Sequence, residues 1–312
     1  MTMRPAPAPH RPSRASRATR RRRTLAAVTT ATAALTLVAC IQPAKPPHAA
    51  GPNPGPGARA LRFFGTGSGQ VDRVKIPLNG NTKANIGAGD FTIEVWLRGA
   101  LGDNGAGNNC SGGEAAWING NIFIDRDVFG GGDRGDFGLS LYDGRVAFGA
   151  TRDNSGSTIC GSRNVLDGAW HHVAVTRQAS NGRLQLYVDG QLDAEAGTSG
   201  ATGDISYRVG RGTQYPDSDP FLVLAAEKHD AGSGFPSFNG SLDELRLSTA
   251  IRYNGNFTRP AGPFTPDANT AALYHFNEGS GTTLGDEIGT SNGQLNVGGN
   301  GNGPQWTADA PF

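Results

Sequence analysis

From residue 61 onward, apolar and polar residues alternate in short runs broken by glycine-rich turns. Phe91, Ile93, Val95 and Leu97 fall on one face of residues 91–98. Val173 and Val175 share a face within residues 170–177, and residues 183–188 alternate again. Asp189-Gly190 closes that run, and Asp143-Gly144 separates residues 137–141 from residues 146–150. Both Asp-Gly pairs predict type I′ hairpins. Further strands are expected over residues 61–64, 71–76, 118–124, 205–209, 221–226, 241–247 and 272–276. The one helix-like piece, residues 248–253, spans about one turn. Many short strands with period-two patterning predict an all-β sandwich or jelly roll. Glycine takes 47 of 312 positions, about twice the usual share. The long periodic helices of a bundle or Rossmann-like fold are missing from the pattern.

The first 39 residues read differently. Residues 1–23 hold eight arginines and no acid, and residues 24–39 form an uncharged run of 16 residues. Such a run is short for a bilayer span but suits the apolar region of a signal peptide. It ends Leu37-Val38-Ala39-Cys40, which resembles the bacterial lipobox. There a small residue fits the peptidase and the cysteine thiol takes a diacylglycerol. The expectation is a lipoprotein signal peptide over 1–39 with Cys40 as the lipidation site. The protein would then be exported and held to a bacterial membrane, at the cell envelope or surface, by its lipid anchor. Arg22-Arg23-Thr24-Leu25 leaves a twin-arginine route open as an alternative. Residues 40–58, with prolines at 43, 46, 47, 52, 54 and 56, predict a semi-extended tether. The folded domain is expected over 59–312.

Removing the signal changes the charge. After residue 39, 20 Lys+Arg face 27 Asp+Glu, a balance near −7. The basic excess thus sits in the removable segment, and a nucleic-acid partner is not expected. Two cysteines remain, Cys110 and Cys160, both in Gly/Asn/Ser-rich stretches read as loops. An even count in an exported chain predicts one disulfide. A zinc site would need His or Cys partners at ligand spacing, and the sequence offers none.

An ordered set of segments resembles bacterial laminin-G-like domains of the concanavalin A-like lectin/glucanase superfamily. It comprises Leu61-Arg62-Phe63-Phe64-Gly65, Phe91-Thr92-Ile93-Glu94-Val95-Trp96, Trp170-His171-His172-Val173-Ala174-Val175, Leu186-Tyr187-Val188-Asp189-Gly190 and Leu242-Asp243-Glu244-Leu245-Arg246-Leu247. The resemblance covers about residues 60–312 and implies a concanavalin A-like jelly-roll sandwich of two antiparallel sheets, built for binding rather than catalysis. In such domains an acidic residue near the closing strand often helps hold structural calcium, which makes Asp243 a candidate. The chain has Phe64 where relatives commonly have aspartate. Residues 272–281 also look like a family segment, one that often precedes the Phe-Gly segment and here closes the chain.

Candidate chemistry stands beside bland alternatives. Glucanases of the superfamily place carboxylates at i and i+2 on one strand. No such string occurs here: Glu94 stands alone, and Asp243 and Glu244 would face opposite ways in a regular strand. No enzyme is therefore expected. His171 and His172 read as framework residues, one turned in and one out. Two glycine-spaced matches, residues 289–293 and 130–135, lack the helices that a nucleophile elbow or dinucleotide fingerprint needs. Asp125, Asp127, Asp133 and Asp136, with Gly130, fit positions of a calcium-loop template. The alternative is a solvated acidic turn balanced by Arg126 and Arg134. Tyr215 and Phe235 are candidates for stacking on a sugar face, or else packing plugs. The expected function is a non-catalytic surface lipoprotein that binds a glycan or another extracellular ligand, with calcium as its one candidate cofactor. A structural or adhesion module that binds protein partners is the alternative, and a polysaccharide-degrading enzyme ranks third.

Overall fold

A computed structural model describes residues 57–65, 71–106, 110, 112–128, 135–153, 155–197, 201–208, 220–296 and 303–312. Cys40, Asp133 and Tyr215 lie outside the described residues, as do the predicted signal peptide and almost all of the tether. Residues Ala49–Phe312 belong to one compact unit.

The described elements are almost all strands. They begin with β1 (Ala60–Phe64), β2 (Arg73–Pro77), β3 (Phe91–Ala100), β4 (Asn121–Arg126), β5 (Gly135–Tyr142) and β6 (Arg145–Arg152). There follow β7 (Ser155–Cys160), β8 (Asp167–Arg177), β9 (Arg183–Val188), β10 (Gln191–Gly197) and β11 (Phe221–Leu224). The last are β12 (Asn239–Ser248), β13 (Thr270–Tyr274), β14 (Thr283–Leu284), β15 (Gly293–Asn296) and β16 (Gln305–Thr307). They form two antiparallel sheets, the jelly-roll sandwich that the patterning predicts. The first sheet runs β10-β9-β8-β3-β12-β1-β16, with β13 also on β12. The second runs β14-β15-β2-β11-β4-β5-β6-β7.

Alternation decides which side chains meet between the sheets. Phe91, Ile93, Val95 and Leu97 of β3 and Val173 and Val175 of β8 join one buried core with Phe137, Leu139 and Leu141 of β5. Both Asp-Gly turns adopt the predicted geometry. Asp143 and Gly144 have φ of 47° and 79°, and Asp189 and Gly190 have 50° and 77°, the paired positive values that a type I′ turn demands.

Several elements differ from the sequence expectation. Residues 205–208 form no strand, and residues 248–253 form no helical turn: Ser248 ends β12 and the chain continues in extended and bend conformations. The unforeseen β7, β10 and β14–β16 carry few of the branched residues that mark strands. In β12 a bulge, with Glu244 at φ 49°, places two residues between the inward-facing Leu242 and Leu245. Asp243 and Glu244 therefore do not simply alternate between faces.

The outer face of each sheet is covered as well. On the first, Trp96 packs with Phe264, Leu273 and Phe312, and Phe312 meets the Trp96 ring edge-on at 5.0 Å. On the second, the 3-10 turn Ala116–Asn119 lowers Trp117 onto β5 and β6 until it is 1% exposed. Glycines make this approach possible. A Cβ on Gly138 would lie 2.1 Å from the Trp117 ring, and one on Gly149 only 1.9 Å. Ser140 Oγ donates to the Trp117 carbonyl at 2.5 Å, and Thr151 Oγ1 to that of Glu114 at 2.8 Å. Cys110 and Cys160 are joined by a disulfide with Cα atoms 6.0 Å apart. Cys160 ends β7 rather than lying in a loop, so the bridge fixes the covering loop to a strand of the sheet beneath it. Cys110→Ser is expected to lower the unfolding free energy by up to about 4 kcal/mol, from loop-closure entropy. Urea titration of the oxidised protein checks this, and an unchanged midpoint would contradict the clamp.

Candidate functional site

Of the acidic positions of the calcium-loop template, Asp125 lies on β4, Asp127 directly after it and Asp136 on β5. Asp125 is on β4 opposite Gly138 of β5 and Val223 of β11. Asp136, two residues before Gly138, shares the outer face of the second sheet. Asp125 Oδ1 accepts the Asp127 backbone N–H at 2.7 Å, and its Oδ2 accepts that of Lys228 at 2.8 Å. Asp136 Oδ1 accepts the Val128 N–H at 2.9 Å.

A third segment completes the cluster. Residues 227–230, just after β11, bring in Glu227 and His229. Glu227 Oε2 accepts the backbone N–H groups of His229, at 2.7 Å, and of Asp230. His229 Nδ1 stands 3.2 Å from Asp127 Oδ2 and 3.3 Å from Glu227 Oε1. Asp127, Glu227 and His229 thus offer three ligand atoms within 4.8 Å of one another. Arg73 braces this segment from β2, donating to the carbonyls of Glu227 and Lys228 at 3.3 and 3.2 Å. Neither Glu227 nor His229 was identified from sequence. The available signal was Glu227-Lys228-His229-Asp230, four polar and ionisable residues directly after an apolar strand.

The electrostatics follow from crowding. Burial, then the charges of Glu227 and Asp127, push the Asp125 carboxyl up to about 7. Burial, then Asp127, does the same to Asp136, also to about 7. Burial acts against Asp127 too, but the His229 hydrogen bond and the charges of Lys228, His229 and Arg126 together hold it below its ordinary value. Carboxylates held this close can share protons or gather around a cation.

The other predicted site residues are elsewhere. Asp243 donates nothing to this cluster. Burial first, then Glu244 and Glu278, raises it to about 9, and its Oδ1 accepts the Glu244 N–H at 2.9 Å. Glu244 is engaged by His275, whose Nδ1 lies 2.7 Å from Glu244 Oε1 and whose Nε2 lies 2.8 Å from Glu287 Oε2. Phe235 is half-buried in a turn where it exchanges backbone hydrogen bonds with Gly232.

Both histidines of the Trp-His-His segment are buried framework residues, so neither is turned out to solvent. His171 lies between Asp189, 2.8 Å from Nδ1, and Asp167, 3.0 Å from Nε2. His172 Nε2 is 3.2 Å from Glu94 Oε2. Its side of the sheet is covered by Tyr253, Phe257 and Phe264, whose rings lie 5.8–6.5 Å from the imidazole.

Residues 68–252 match the family model of the concanavalin A-like lectin/glucanases superfamily, laminin G type. The chain belongs to this superfamily. Its matched region includes Asp125, Asp127, Asp136 and the Glu227–His229 segment. Among curated proteins, the chain is 32% identical over 114 residues to the Sushi, von Willebrand factor type A, EGF and pentraxin domain-containing protein 1 of Rattus norvegicus. That stretch is 36% of this chain and 3% of that protein. It is 31% identical over 129 residues to human Pentraxin-4, covering 38% of this chain and 25% of that protein. The fold is also that of a solved candidate carbohydrate binding protein from Bacteroides ovatus. The TM-score is 0.52 at 16% identity, covering 82% of this chain and 61% of that one.

The His275 pairing has a consequence for stability. The Glu244 hydrogen bond first, with Glu287 adding to it against burial, raises His275 from 6.5 to about 9. The folded state thus holds this proton more tightly than the unfolded chain. The contribution is full below about pH 6.5 and is lost as pH rises through about 9; with the pair partly open to water it is on the order of 1 kcal/mol. Urea unfolding of the wild type and His275→Asn at pH 6 and pH 10 tests it. The two should differ at pH 6 and converge at pH 10.

Proposed function

We propose that this is an exported lipoprotein whose laminin G-type domain binds a glycan or another extracellular ligand without cleaving it. The observation that carries the reading is membership of a lectin-like superfamily over residues 68–252. The candidate carbohydrate binding protein with the same sandwich is in keeping with it. The histidines that could serve acid–base chemistry support the non-catalytic part. His172 is 0% exposed and paired with an equally buried Glu94, and His171 is enclosed by two aspartates. Residues 1–39 serve as the signal, Cys40 carries the lipid, and residues 40–58 hold the domain 59–312 away from a bacterial membrane. No helix among the described residues is long and apolar enough to cross one.

The carboxylate cluster fits calcium. Its donors are mostly oxygen, the chemistry a hard cation takes, and two of its carboxyls are held near 7 by burial and neighbouring negative charge. Asp127 and Glu227 would hold the ion, with Asp125 and Asp136 beside them. Bound calcium would sit between Asp127 and Glu227, the two carboxylates that His229 Nδ1 now bridges. Its part in binding is to order the loops that meet there.

A glycan array with and without chelator, paired with reducing-end analysis of polysaccharide digests, tests the function. Binding that chelator weakens, a melting temperature that falls with it, and no new reducing ends are the expected results. Time-dependent product that survives repurification would make the domain an enzyme. Binding confined to protein ligands would make it an adhesion module. The anchor has its own test: a fatty-acid analogue should label the wild type, and equal labelling of Cys40→Ser would refute lipidation.

A further inference from the structure

A second polar site stands on the outer face of the first sheet, on strands that contribute nothing to the carboxylate cluster. Ser241 of β12 is the register partner of Arg62 on β1 and of Arg98 on β3. The two arginines therefore flank one serine in a single row across three strands. Their backbones are about 10 Å apart by strand spacing, a span that two long side chains close over a small anion. Both line a cleft of about 390 Å3, within the size range of small-ligand sites.

Each arginine is anchored at the cleft yet keeps donors to spare. Arg62 donates through Nη1 to the Gly240 carbonyl at 3.2 Å and through Nη2 to Asn239 Oδ1 at 2.5 Å. Arg98 donates through Nε to the Gly168 carbonyl at 2.6 Å and through Nη1 to the Asp309 carboxylate. A guanidinium carries five N–H groups, so neither is exhausted. Burial pulls Arg62 below its ordinary value, and Asp103 only partly offsets this.

Asp309 already sets a carboxylate against Arg98. It belongs to the segment after β16, and it presents a carboxylate to Arg98 while half exposed, at 51% against 38% for its partner. An ion pair so open to water is weakly held and readily exchanged. Ser241 and Thr307 add hydroxyls to the lining, and at Gly168 a side chain would meet open space. The lining mixes polar and apolar surface in similar measure, which suits a sugar ring with its hydroxyl edges and C–H faces.

We propose that this cleft binds the carboxylate of an acidic saccharide, a hexuronate unit, which replaces Asp309 on Arg98 and is gripped from the other side by Arg62. Bidentate pairing of guanidinium with carboxylate supplies the discrimination between the acid and its neutral counterparts. The proposal rests on the glycan-binding reading above and names its sugar class.

Calorimetric titration of the purified full chain with pentagalacturonate and with its fully methyl-esterified form tests it. The acid should bind at least tenfold more tightly than the ester, and Arg62→Met should remove that preference. Asp309→Asn should tighten binding of the acid severalfold, because it removes the internal competitor. A purely structural Asp309 predicts no gain. Asp309→Asn, on an exposed side chain, keeps the question open to refutation even if Arg62→Met fails to fold. Equal binding of acid and ester, or an Asp309→Asn variant no tighter than wild type, overturns the proposal. Binding of neutral saccharides alone overturns the cleft and leaves the glycan-binding reading standing. Binding of no saccharide at all overturns both.

Discussion

One buried carboxylate organises the outer side of the first sheet. Glu94 of β3 is 0% exposed, and each of its oxygens is engaged. Oε1 accepts from Arg246 of β12, from Nε at 2.8 Å and Nη2 at 2.7 Å. Oε2 accepts the Tyr253 hydroxyl at 2.7 Å and faces His172 of β8 at 3.2 Å. Three adjacent strands and the segment that follows β12 therefore meet on one side chain. A charge withdrawn from water is tolerable only when it is so thoroughly partnered, and removing one member of such a group costs about 3–5 kcal/mol. With the hydroxyl of Tyr253 held, its ring stacks on Phe257 at 3.6 Å. Arg246 then lies over Phe264 at 4.5 Å. The cover over Trp96 and His172 follows from that chain of contacts.

The two sheets are closed on their outer sides by different chemistry. The first uses an ion-paired carboxylate and a layer of aromatic rings. The second uses Trp117 and the Cys110–Cys160 bridge. With much of both faces occupied, the two candidate sites lie beside the covering groups. The carboxylate cluster lies beside Trp117, on the β4–β5 hairpin and the segment after β11. The arginine cleft lies along the first sheet near the segment after β16.

Much of this was legible in the sequence, and the reasons for success and failure are local. Strands β3, β8 and β9 announce themselves because one face is core and the period is two. The Asp-Gly turns do so because few other pairs accept two positive φ values. Ser155–Cys160 and Gln191–Gly197 carry no such signal, because their residues have little strand preference and gain order from a neighbour's ladder instead. Glu94 was seen as isolated because its partners are 78 to 159 residues away. The cluster was half seen. Asp125, Asp127 and Asp136 are close in sequence, whereas Glu227 and His229 reach them only through the β4–β11 pairing.

Gly138 and Gly149 turn the cover over the second sheet into a lock with interdependent parts. A methyl group at either glycine would overlap the indole of Trp117, so the ring cannot stay where it is once one glycine changes. A smaller residue at 117 would in turn leave an unfilled hollow above two glycines that have no side chains to fill it. These three positions can therefore be rewritten only together. A version of this domain that opened the face to a ligand would be reached by a concerted change, not by accumulating single ones.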